Sequence, residues 1–335
     1  MKQPGPQVVM VTGASAGVGR AVVRRFARDG AHIGLIARGC EGLEAAAREV
    51  EEAGGRALVL PLDVSNADAV EDAAARLELE FGPIDIWVNA AFAGVLAPFM
   101  EMETRDYARV TDVTYLGQVH GTRAALKRML PRDRGSIVLV GSALAYRGIP
   151  LQSAYCGAKH AIQGFHDSVR AELIHAKSKV SISMVQLPGV NTPQFDWIKT
   201  TMPNKPRPAS PPYQPETAAE AIRFAAHHRR KNIKLGWPTW EAIIGDSIAS
   251  PLLDRYLAAT GFKGQQSDEP VAPDRRDNLW APVPGDHGAH GRFDDTARTH
   301  SSELWVSAHR GALVTAASLA VAGLGALLLG RAGRT

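Results

Sequence analysis

Ser142, Tyr155 and Lys159 are the side chains whose types and spacing add up to acid–base chemistry. Tyr155 and Lys159 stand four apart, so a helix puts them on one face with both head groups available to one ligand. A free phenol loses its proton near pH ~10, too high for good acid–base work at neutrality; an adjacent ammonium stabilises the phenolate and draws that value down. Ser142 follows an apolar run at 137–140, where its hydroxyl can hold a substrate oxygen while Tyr155 moves the proton. This set moves protons only, so a hydride has to come from a bound cofactor.

The elements that must position these groups are legible around them. The run 137–140 reads as a buried strand, which puts Ser142 at the carboxyl edge, where open α/β sheets bind ligands. Gln152 and Ser153 are start signals for the next helix, and Ala158, Ala161, Ile162 and Phe165 continue its apolar spacing. At the other end of the chain a strand at 8–12 opens into Gly13-Ala-Ser15-Ala-Gly17-Val18-Gly19 and a helix running to about residue 29. Glycines there let the backbone turn tightly and lay a pyrophosphate on the helix amino terminus. Further strands are expected at 32–37, 57–62, 84–88, 180–187 and 233–235, with a long helical stretch at 105–129 and a helix at 216–231. The alternation predicts an α/β fold: a doubly wound, Rossmann-type parallel sheet of seven strands with helices on both faces.

Taken together, the Gly-x-x-x-Gly-x-Gly loop and the Ser, Tyr and Lys resemble the short-chain dehydrogenase/reductase family over residues 8–262. The resemblance implies an alcohol/carbonyl oxidoreductase in which Ser142 orients the oxygen, Tyr155 transfers the proton, and Lys159 lowers the tyrosine and holds the nicotinamide ribose. It further implies cofactor contacts from Gly13, Ser15, Gly17, Val18 and Gly19, from Asp63-Val64 to the adenine, and from Asn89 near the ribose. Pro188, Gly189 and Thr192 would serve the nicotinamide amide and a phosphate. Asp63 has a second reading, as the cap of a helix beginning near Asn66.

Three positions depart from the family pattern. In Asn89-Ala-Ala-Phe-Ala-Gly94, Ala90 and Phe92 replace an Asn and a Gly, and Phe92 is expected to reshape the nicotinamide side of the pocket. Thr114 stands where the family has the Asn that holds a relay water behind the lysine, so the relay is expected to run through its hydroxyl or another water. The strand at 32–37 ends in Ala37-Arg38, without the acidic residue that holds a ribose diol in NAD enzymes. A guanidinium suits a 2′-phosphate, so NADP(H) is expected over NAD(H).

With 335 residues, 45% of them hydrophobic, the chain can bury a large core, and its net charge of +4 comes without a basic stripe interleaved with aromatics, which argues against nucleic acid. The two cysteines, Cys40 and Cys156, fall in separate expected helices and offer neither a disulfide framework nor zinc spacing. Residues 194–215, rich in Pro and carrying Phe195, Trp197, Ile198 and Met202, read as a lid over an apolar substrate. The domains expected are a catalytic domain at 1–263, a Pro/Gly/His-rich linker at 264–302, and a carboxyl segment at 303–335. Asp286, His287, His290 and Asp294 lack the spacing of a metal site, and no metal is expected.

Residues 311–330 carry no charge and suffice to cross a bilayer's ~30 Å core, so they read as a single-pass anchor with the catalytic domain in the cytosol, the alternative being an apolar helix packed on the domain or in a dimer. The amino end lacks an apolar signal segment. A homodimer and a lipophilic substrate are expected, the dimer by family analogy alone. The competing class is a membrane-anchored NADP(H)-binding scaffold with little turnover.

Overall fold

The computed structural model describes residues 5–307 and 309. Its centre is a parallel sheet of seven strands. These are β1 Val8–Thr12, β2 His32–Ala37, β3 Ala57–Pro61, β4 Ile86–Asn89, β5 Ser136–Ser142, β6 Ser181–Leu187 and β7 Asn232–Lys234, in the spatial order 7-6-5-4-1-2-3. The order reverses between β1 and β4, and the crevice outside their carboxyl ends is where such sheets bind ligands. Both faces of the central strands are covered, which explains their continuous apolar runs.

Period-two alternation sorts those runs into two cores. Val9 and Val11 face the layer that holds α1 Gly17–Ala27, α2 Cys40–Glu52 and a later helix, Pro215–His227. Met10 and Val8 face the opposite layer, with α3 Ala67–Phe81 and the stretch Thr104–Met129. That stretch is helical as expected but is interrupted by one π turn at Asp112–Leu116, between α4 Thr104–Thr111 and α5 Gly117–Met129. The helix carrying the candidate acid–base pair, α6, runs Ser153–His175. Gln152 precedes it without capping it, because its amide is turned to Gln265 at 2.6 Å.

Past Leu187 the chain builds a cover over the carboxyl edge. Gln194–Trp197 is a single helical turn, Lys199–Thr200 pairs with Val95–Leu96, and Asn204–Pro206 pairs antiparallel with Gln266–Pro270. The helix α7, Pro215–His227, stops short of the expected residue 231, and Lys231 instead pairs with Asp167 at 2.9 Å. The helix α8, Trp237–Gly264, is kinked at Ala249 ahead of Pro251, where a missing N–H and a bulky ring interrupt the ladder. Arg147 pins it to the loop after β5 through Asp246 at 2.8 Å and through Asp254.

The linker expected at 264–302 is corrected by the structure: the segment is bound along the domain. Leu279 and Ala289 are buried in the two cores, and Asn191 reaches Asp294 at 2.8 Å. Its Pro and Gly content suits an extended path held by main-chain contacts, which periodicity does not reveal. The apolar run 311–330 lies outside the described residues, and among those described no helix is long and apolar enough to cross a membrane.

Candidate active site

A cleft of about 410 Å3 lies along the carboxyl edge and reaches from Arg38 to Ser142. One wall is the turn from β1 into α1. Gly13 holds φ +72°, and a Cβ there would sit 2.9 Å from the backbone of Ala91. A Cβ on Gly19 would lie 2.0 Å from the carbonyl oxygen of Gly13. Only glycine allows this approach, and the first turn of α1 carries no acidic residue to oppose an anion. Thr12 ties the neighbouring loop down, its Oγ1 accepting from the N–H groups of Ala90 at 3.0 Å and Ala91 at 3.1 Å. Ser15, Val18, Val64, Pro188, Gly189 and Thr192 line the same cleft.

At the far end stand the three acid–base residues. Ser142 closes β5 with an extended backbone, and its Oγ accepts from Leu144 N–H at 3.1 Å, shaping the turn that follows. Tyr155 and Lys159 share a face of α6 as their spacing requires, with the ammonium 5.5 Å from the centre of the phenol ring. Lys159 is buried and donates to the carbonyl oxygen of Val140 at 2.6 Å. Burial lowers its pKa to about 7. Burial also pushes the Tyr155 phenol above its ordinary value, while the neighbouring Ser142 hydroxyl acts in the other direction.

Phe92 does border this end of the cleft, standing edge-on to the Tyr155 ring with centroids 5.8 Å apart. Leu96, Leu144, Phe195, Trp197 and Ile198 add further apolar surface around it.

Two expectations are corrected, the Thr114 hydroxyl in the relay and Asp63 as the helix cap, while Asp63 and Val64 both line the cleft. Thr114 is wholly buried in the π turn, and its Oγ1 accepts from Ala93 N–H at 2.9 Å and donates to Ala93 O at 2.8 Å. Its hydroxyl is thereby spent on the loop after β4. Asn89 turns its side chain into the core, accepting from the Trp87 indole at 3.0 Å and donating to Thr122 at 3.3 Å. Asp63 does not cap α3: Asn66 does, while Asp63 accepts from Ser65 Oγ at 2.8 Å and pairs with Arg109. The Arg109 guanidinium and those serine contacts hold the Asp63 carboxyl below its usual range despite burial.

Two features escaped the sequence reading. Gln118, one turn beyond Thr114, donates to Val140 O at 3.1 Å and so shares the acceptor of Lys159. A buried glutamine in a helix gives no pattern to read. The other is the segment 278–288, whose Asn278, Pro282, Val283, Gly285 and His287 line the cleft. Of the four residues weighed as a metal site, Asp286 pairs with Arg20, His287 bonds the carbonyl of Pro284, and His290 sits between Asp294 and Glu216.

A parallel sheet with this strand order, a glycine turn at its switch point and a Ser, Tyr and Lys at one end of the crevice define a dinucleotide-dependent oxidoreductase. The sequence profile of the short chain dehydrogenase family matches residues 7–202, and the chain belongs to that family. It is 30% identical over 322 residues to a Bacillus subtilis protein named uncharacterized oxidoreductase YxnA, covering 96% of this chain and 90% of that one. It is 30% identical over 229 residues to a fatty acyl-CoA reductase of Acinetobacter baylyi, covering 68% of this chain and 75% of that one. Among solved structures, an alcohol dehydrogenase from Thermococcus sibiricus, complexed with 5-hydroxy-NADP, aligns with TM-score 0.59 and 28% identity over 69% of this chain and 96% of that one. The chain is thus a short-chain oxidoreductase of the NAD(P)-binding type.

Proposed function

We propose that this protein is an NADP(H)-dependent oxidoreductase interconverting an alcohol and a carbonyl on an apolar substrate. The observation that carries the reading is the convergence of Ser142, Tyr155 and Lys159 at one end of a cleft whose other end presents Arg38. The residues fit the cofactor: the close-packed glycine turn lines the cleft at the amino terminus of α1, whose first turn has no acidic residue to oppose a diphosphate, and no carboxylate follows Ala37 to hold a ribose diol. Gly13, Gly17 and Gly19 would let a diphosphate approach, Ser15 and Val18 would hold it while the Gly17 N–H stays on Gly288 O, Arg38 would take the 2′-phosphate, Asp63 and Val64 the adenine, and Pro188, Gly189 and Thr192 the nicotinamide side.

Bound NADPH supplies the hydride. The phenol of Tyr155, kept protonated by burial, is the donor to the oxygen of a carbonyl as that oxygen gains charge. Ser142 orients the same oxygen. Lys159 has three N–H bonds when charged, of which one is committed to Val140 O, leaving two for ribose oxygens and the tyrosine. Charging of Lys159 in the loaded cleft then lowers the phenol, the direction needed for proton transfer. The aromatic lining from Phe92, Phe195 and Trp197 excludes water and favours an apolar group beside the reacting carbon.

Oxidation of NADPH over a panel of long-chain aldehydes and bulky ketones tests this. Turnover with NADPH well above that with NADH supports the reading. Tight NADPH binding without turnover of any panel member favours the scaffold instead. We further propose that the apolar run 311–330 holds the domain at a membrane with the catalytic part in the cytosol, and that two chains pair. Its uncharged length supports the first, by fractionation of the full chain; light scattering of the detergent-solubilised protein tests the second.

A further inference from the structure

The nucleotide cleft has a wall that comes from far outside the family's matched residues 7–202. Residues 278–288 cross its mouth and are tied at both rims. On the adenosine rim, Arg38 donates to Leu279 O at 3.0 Å and to Asn278 O, and Arg109 donates to the same Leu279 oxygen at 3.1 Å. The Trp280 indole donates to Asp106 at 2.8 Å, and Leu279 is fully buried. On the glycine-turn rim, Gly17 N–H donates to Gly288 O at 3.0 Å, Arg20 pairs with Asp286 at 3.2 Å, and Glu41 accepts from Gly285 N–H. Between the rims, Pro282, Val283 and Gly285 face the cleft.

We propose that residues 278–288 form a strap that closes over the bound nucleotide and sets the rate at which it leaves. This rests on the reading of the cleft as an NADP(H) site. The strap lines one side of the cleft, and the cleft as a whole, from Arg38 to the Ser142 end, encloses about 410 Å3. A guanidinium has five N–H bonds, and Arg38 commits two to strap carbonyls, so it can hold the strap and a 2′-phosphate together. The two rims differ in strength. The Leu279 rim is buried and held by two arginines, whereas Asp286 is 43% exposed, and the buried Arg20 keeps Glu49 at 2.7 Å and the carbonyls of Ser15 and Gly42 when Asp286 leaves. Gly285 (φ +104°) and Gly288 (φ +61°) flank Asp286 and supply the backbone freedom for that end to swing. The strap opens at Asp286–Gly288 and stays anchored at Leu279.

The test is the release rate of NADPH from the full chain, followed by stopped-flow fluorescence. Asp286→Ala removes the Arg20 pair and the 3.1 Å bond to Gly288 N–H, and is expected to speed release roughly five- to tenfold. A second variant locks the strap. A Cβ on Gly39 would lie 3.4 Å from the Cβ of Pro282, at the close end of disulfide geometry. In a Cys40→Ser background, Gly39→Cys with Pro282→Cys, oxidised after loading, is expected to retain NADPH through gel filtration and release it on reduction. Equal release rates from the native chain, Asp286→Ala and the locked protein would overturn the proposal. So would faster uptake with unchanged release in Asp286→Ala, the signature of a strap that competes with the nucleotide. A native chain that binds neither NADPH nor NADH would overturn the underlying reading instead.

Discussion

Replacing Lys159 by Met removes a buried amine whose proton the fold disfavours, and the cost of that proton depends on pH in a calculable way. Burial lowers the amine from its ordinary 10.5 to about 7 in the folded chain. Between those values the unfolded chain holds the proton and the folded chain does not, so stability rises with pH across the window. Below about pH 7 both states carry the proton and the full burial cost is present. For these two values the linkage relation gives roughly 2–3 kcal/mol between about pH 6 and about pH 9. Met has similar length and no charge, and Gln118 still donates to Val140 O once the amine is gone. Urea unfolding of native and Lys159→Met protein, without nucleotide, at both pH values measures the term. The variant's stability relative to the native chain is expected to be roughly 2–3 kcal/mol more favourable at the lower pH. A difference that does not change with pH would refute the argument that the amine is poised near neutrality by burial.

Other substitutions probe the remaining parts. Arg38→Ala is expected to weaken NADPH roughly ten- to a hundredfold while changing NADH far less, measured by fluorescence titration; equal losses would reduce Arg38 to an anchor for the strap. Thr114→Val leaves Ala93 N–H and C=O without their buried partner, so it should cost about 1–3 kcal/mol in urea unfolding and leave the pH–rate profile in place. A shifted profile at unchanged stability would restore Thr114 to the proton relay. Phe92→Gly opens the space beside the Tyr155 ring and is expected to raise KM for apolar carbonyls more than it lowers kcat; an unchanged KM would remove Phe92 from the substrate wall.

The sheet was readable because strands buried on both faces have no choice but continuous apolar runs, as at Val8–Thr12 and Ser136–Ser142. Tyr155 and Lys159 were readable as partners because helical periodicity alone puts them on one face. Side-chain direction was not. Asn89 sits at the strand end that the motif implies, yet its amide is claimed by Trp87 and Thr122, groups met only through tertiary packing. Thr114 lies in a π turn, whose extra residue per turn rotates its hydroxyl onto Ala93 in a way that 3.6-residue spacing does not foretell. The segment 278–288 carries its contacts on main-chain carbonyls and N–H groups, which every sequence possesses, so its Pro and Gly content reads as a linker.

On the proposed reading the phenol of Tyr155 delivers the proton to a substrate held over NADPH. Tyr155→Phe keeps the ring against Phe92 and removes one oxygen, so NADPH titration and NADPH oxidation can be measured side by side on the same preparation. Nucleotide affinity is expected within about threefold of native and turnover lower by roughly a hundredfold or more. Turnover close to native with bound NADPH would contradict that reading.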